Sequence, residues 1–209
     1  MNTEYVSLFA TCMAEPLQHV IGQALKSVIY YPLQYDCQHF DIDGPNDSGG
    51  CQAIHLVFET GELELDWDWL QIFRAAADDF VSPPIVYHLI ARSTSQRRPT
   101  VCVPTEDDCS GLGALDAMEA KIWKRVVGEP LVGGKVWGVA LPEERYSPQS
   151  VELQFPSGQI VVAVGMTDDR SIGDGDEMLV FSAEEWRQRL SESEQESLVE
   201  IWPAQNPGA

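Results

Sequence analysis

Two stretches of this chain alternate apolar and polar residues on either side of a single glycine. The first, IHLVFETGELEL, runs from Ile54 to Leu65; the second, VELQFPSGQIVV, from Val151 to Val162. In the first, Ile54, Leu56 and Phe58 lead out and Leu63, Leu65 and Trp67 return. In the second, Val151, Leu153 and Phe155 lead out and Ile160, Val162 and Val164 return. A period of two with one apolar face predicts half-buried antiparallel strands. Gly61 and Gly158 are expected to supply the positive φ of a tight hairpin loop. Phe58 and Phe155, like Gly61 and Gly158, stand 97 positions apart.

The likeness extends upstream. HVIGQALKSVIYY (His19 to Tyr31) and RVVGEPLVGGKVWGV (Arg125 to Val139) both give β-branched residues, a glycine, a short loop and an apolar strand. A helical pattern precedes each. In AEPLQHVIG, Leu17 and Ile21 face inward and Gly22 is the stop. In ALDAMEAKIWKRVVG, Leu115, Met118, Ile122 and Val126 recur at helical spacing and Gly128 is the stop. Pro83–Ala91 and Asp176–Ser182 read as matching later strands. The fold class expected is α+β: two related units, each a mainly antiparallel sheet with flanking helices, produced by internal duplication. The units span residues 1–95 and 113–209, and a linker rich in Ser, Thr, Pro and charge fills 96–112. Ser182 with Glu185, and Ser193 with Glu196, predict capping boxes for C-terminal helices.

Charge narrows the function. Against 33 Asp and Glu stand 13 Lys and Arg, a net −20. A basic patch able to neutralise phosphates is not to be expected, so nucleic acid is excluded as a partner. Eleven acids against three arginines lie between Asp168 and the C-terminus, a local balance of −8. Such a surface attracts basic proteins through its long-range field. No run of about 18 apolar residues predicts a membrane span. The N-terminal residues lack a basic start, so a secretory signal is not expected. Five cysteines, Cys12, Cys37, Cys51, Cys102 and Cys109, do not read as a disulfide framework. The expected compartment is the cytoplasm.

Motifs for chemistry are sparse. Cys37, His39, Cys51 and His55 form a ligand set that zinc accepts, but their spacing is not that of a zinc knuckle. The Asp41–Gly50 stretch and Asp168–Glu177 are rich in oxygen donors, yet Gly44 and Gln52 fall where a calcium loop needs other residues; both read as turns. There is no Gly-x-Ser-x-Gly elbow and no phosphate-cradling glycine motif. No catalytic residue, metal or cofactor is therefore assigned. All four histidines, His19, His39, His55 and His88, lie in the first half.

In compartment, size, acidity and lack of catalytic motif the chain looks like the bacterial immunity proteins that neutralise toxins. The leading expectation is a cytoplasmic binding protein of that kind, directed at a basic secreted toxin such as a nuclease. Its expected interface comprises Asp66, Trp67, Asp68 and Trp69 together with Asp168, Asp169, Asp174, Asp176 and Glu177. One alternative is a small enzyme or metal-binding protein using His39, His55 and Cys37 or Cys51. A second is a non-catalytic subunit of a larger assembly.

Overall fold

The computed structural model describes residues 9–32, 51–68, 88–93, 101–102, 114–141, 145–165 and 177–202. A π-helical turn, Ala10–Ala14, leads into α1 (Glu15–Val20), whose first turn carries Pro16 and whose Leu17 and Val20 are buried. Four strands then run up and down: β1 (Leu25–Pro32), β2 (Cys51–Phe58), β3 (Glu62–Asp68) and β4 (His88–Arg92). Two short strands follow, β5 (Val101–Cys102) and β6 (Ala114–Asp116). A second up-and-down set is β7 (Gly133–Leu141), β8 (Arg145–Phe155), β9 (Gly158–Gly165) and β10 (Glu177–Ser182). The described chain closes with α2 (Ala183–Arg189), α3 (Glu192–Ser197) and β11 (Leu198–Trp202).

These strands form two antiparallel five-stranded sheets, β6-β1-β2-β3-β4 and β11-β7-β8-β9-β10, with β5 added in parallel beyond β6. A single bridge, Met178 with Cys51, links β10 to β2. Both alternating hairpins form in the expected register. Ile54 faces Leu65 and Leu56 faces Leu63 in one; Val151 faces Val162 and Leu153 faces Ile160 in the other. The apolar side chains of both hairpins enter one common core, where Ile54, Leu56, Leu63, Leu65, Val151, Leu153, Ile160 and Val162 are all buried. Burying a Leu or Ile in this way stabilises the fold by roughly 1.5–3 kcal/mol.

The two apolar segments that precede β1 and β7 meet each other. Gly22 donates to the Leu131 carbonyl (2.8 Å) and Gly128 to the Leu25 carbonyl (2.7 Å). Leu131 donates to Gln23 (3.0 Å) and Leu25 to Glu129 (2.9 Å), around a bridge between Ala24 and Pro130. Side chains follow the same scheme. Gln23 Oε1 accepts from the Thr60 N–H (2.9 Å), and Glu129 Oε2 accepts from the Ser157 N–H (3.0 Å). Each bond thus latches a hairpin loop onto the segment ahead of its own meander.

Several expectations need correction. Among the described residues the left-handed glycines are Gly22 and Gly128, both at φ 88°, and not Gly61, which precedes β3, or Gly158, which begins β9. Positive φ is needed where the chain leaves a helical turn and reverses into the joint. The pattern from Ala114 to Gly128 does not form a helix throughout. Its first three residues are β6, where Leu115 pairs with Tyr30 and Asp116 with Ile29. Hydrogen-bonded turns follow, with Trp123 donating to Ala120 and Val126 to Trp123. Pairing with the open edge of β1 outweighs helical periodicity there, and the turns drop Trp123 wholly into the core. The second capping box is Ser191 with Glu194 and not Ser193 with Glu196. The residues after it, Leu198–Trp202, leave the helix to become an edge strand on β7.

Candidate functional site

The outward face of the first sheet carries a row of ionisable side chains. Alternation sends Leu63 and Leu65 of β3 into the core, so Glu62, Glu64 and Asp66 face the other way. Glu64 lies between His55 on β2 and Arg92 on β4 in the strand register. Glu64 is 1% exposed and His55 also 1%. The Arg92 guanidinium reaches Asp66 Oδ2 at 2.8 Å and Glu64 Oε1 at 3.5 Å. The His55 Nε2 stands 3.3 Å from Glu62 Oε2. Burial raises the Asp66 carboxyl above its ordinary range. The Trp67 N–H and Arg92 pull it back, and the neighbouring Glu64 pushes it up further. Buried charges of this density persist only when paired. Arg92 is the cation that holds two of these acids.

This row was only partly foreseen. Asp66 is an expected interface residue; its carboxylate pairs with Arg92. Trp67 is half-buried against the core. Of Asp68 the backbone is described, paired with His88. Trp69, Asp168, Asp169, Asp174 and Asp176 lie outside the described residues, as do Cys37 and His39; Glu177 is described as backbone in β10. Glu62, Glu64 and Arg92 were missed. The signal was present in ELELDW, where every outward position is acidic, and in the arginine that ends β4.

The thiol and imidazole of β2 are not brought together. Cys51 belongs to the core cluster beside Tyr30, whereas His55 faces Glu62 on the other side of the strand. A bulge between Tyr31 and Pro32 in the β1 pairing changes the phase of β2 at this end and turns Cys51 inward. Among the described residues no group of three His, Cys, Asp or Glu side chains is disposed to hold a metal ion. The Tyr30 hydroxyl accepts a hydrogen bond from Trp123 Nε1, and burial holds its ionisation well above the usual tyrosine range.

The acidic C-terminal segment forms a second surface. Glu185 and Glu194 are occupied in capping boxes with Ser182 and Ser191. The Ser182 hydroxyl and N–H hold the Glu185 carboxyl below its ordinary range. Glu200 pairs with Lys135 at 2.8 Å. Glu184, Glu192 and Glu196 are exposed and make no ion pair among the described residues. Meanwhile several of the few cations are already engaged: Lys26 with Glu59, Lys124 with Glu119, and Arg92 with its two acids.

Among the described residues no helix is long and apolar enough to cross a membrane. No family model matches the chain, and no curated protein or solved structure is similar enough to it to count as a relative.

Proposed function

We propose that this chain is a cytoplasmic binding protein that engages a basic protein, most concretely as an immunity protein against a basic secreted toxin such as a nuclease. One observation carries the reading: acids outnumber bases 33 to 13, and four of the described cations, Lys26, Arg92, Lys124 and Lys135, are already paired with acids of the chain while Glu184, Glu192 and Glu196 stay exposed. The surface field is therefore negative and favours encounter with a positive surface. In this reading the acids from Asp168 to Glu177 and the DWDW segment are further candidates for contact with the partner.

The test is affinity capture with the full chain from its native host, followed by purification of the captured protein. A basic partner bound one to one, with toxic activity that the chain suppresses, supports the proposal. A neutral or acidic partner, or a basic one whose activity is untouched, overturns it.

We also infer that the two halves descend from one duplicated unit. The paired bonds at Gly22 and Gly128, and at Gln23 and Glu129, support that reading, since each donor and acceptor has a counterpart in the other half. A consequence is that the catalytic alternative would need chemistry confined to the first half.

A further inference from the structure

The second sheet ends on β11 (Leu198–Trp202), which among the described residues pairs with β7 alone. Such an edge displays backbone N–H and C=O groups that a further strand can take up. The two sheets differ in this respect. β4, the last strand of the first sheet, has the π-helical turn, α1 and β8 packed against it, whereas β11 packs on β7 and α3. Val199 of β11 is 40% exposed. The cause is local. Val199 stands opposite Gly138, and the β7–β8 bulge fixes that position as glycine, because a Cβ there would meet the Ser147 carbonyl at 2.5 Å. No β7 side chain therefore stands beside Val199.

Charge decides what can lie along this edge. From Glu192 to Trp202 the chain carries four acids, Glu192, Glu194, Glu196 and Glu200, and no base. Lys135 of β7 pairs with Glu200 at 2.8 Å, which leaves a local balance of −3. α2 just ahead is neutral, with Glu184 and Glu185 against Arg187 and Arg189. A second copy of the chain would bring the same four acids to the edge, and like charges across a ladder destabilise it. An extended segment that alternates basic and apolar residues fits instead. Its backbone would continue the ladder, its apolar side chains would fall on the Val199 side, and its basic ones on the Glu200 side.

We propose that β11 is the docking strand for the basic partner, and that its open edge takes up an extended partner segment of alternating basic and apolar residues as a further strand of the second sheet. This rests on the basic-partner reading and adds where, and in what form, that partner is held. The experiment titrates the full chain with acetyl-Lys-Val-Lys-Val-Lys-Val-amide, read by backbone NMR shifts and amide exchange. One control replaces each Lys with Glu. The other keeps the basic sequence but alternates L and D residues, so that its charge is the same and it cannot join a ladder. The all-L basic peptide is expected to bind one to one, to shift residues 198–202 and to slow amide exchange there, at least about tenfold more tightly than either control. Val199→Lys, which sets a like charge on the edge, should weaken it at least about tenfold. Val132→Lys, the same change at another exposed valine, should bind as the parent does. No binding at millimolar peptide, equal binding by the alternating-chirality peptide, or unchanged binding by Val199→Lys would each overturn the edge. A captured basic partner that binds Val199→Lys as tightly as the parent would overturn it too, and would leave the basic-partner reading standing.

Discussion

At the scale of single residues, Arg92 is where the first sheet is most exposed to damage. It offsets Asp66 and the buried Glu64 at once. Its own side chain is 40% exposed, so solvent softens the loss. Arg92→Met is expected to cost about 2–3 kcal/mol in denaturant unfolding, and Glu64→Gln in that background should recover part of it. Equal stability of parent and variant would show that the acids are not balanced by Arg92. Asp66 adds a pH signature. Its folded pKa is raised above 3.8, so the folded state holds the proton more tightly than the unfolded chain does. Stability from this group is full below that value and declines as pH rises through the folded pKa. Unfolding free energies of Asp66→Asn should decline less than the parent's across that window; a parallel pair of curves would contradict the assignment. This row was hard to read in the sequence because alternation marks only which side chains face out. Whether an outward face is wet or buried depends on what lies over it, and Glu64 at 1% exposure looks no different from a solvated glutamate in ELEL.

Elements show where local rules suffice and where they yield. The hairpins were legible because period-two alternation sets register by itself: a one-residue slip would expose every core side chain. The α2 cap was legible for a similar reason, since Ser182 and Glu185 satisfy each other's backbone locally. Ser182→Ala should cost about 1 kcal/mol at neutral pH. Glu185 has a depressed pKa, so its contribution is present above the ordinary carboxylate value and lost as pH falls through the folded one; the cost of the variant should shrink on acidification. The stretch from Ala114 to Gly128 misled because helical spacing competes with the free edge of β1, and only tertiary structure reveals that edge. Leu198–Trp202 misled for the same reason beside β7. Gly22 and Gly128 offer a paired test. Each sits at φ 88° with nothing within 4 Å of a would-be Cβ, so alanine meets backbone strain and no clash. Gly22→Ala and Gly128→Ala should each cost about 1–2 kcal/mol, and by similar amounts, because they hold equivalent bonds of one joint. Widely different costs would break that equivalence.

For the whole molecule the dominating quantity is charge. A net −20 spread over a folded chain repels itself, so moderate salt should raise the melting temperature. Net charge was fully legible from composition, whereas its distribution was not: the Asp66 carboxylate is held by Arg92 on the outward face of the first sheet, and Glu184, Glu192 and Glu196 on α2 and α3 are exposed without an ion pair among the described residues. The same charge underlies the proposed encounter with a basic partner. The most direct measurement is the association rate with the captured partner, followed by stopped flow over a series of salt concentrations, for the parent and for Glu184→Gln/Glu192→Gln/Glu196→Gln. The account predicts a rate that falls by at least about tenfold from low to physiological salt and a slower, less salt-dependent rate for the triple variant, with dissociation little changed. A rate indifferent to both salt and the three substitutions would contradict it.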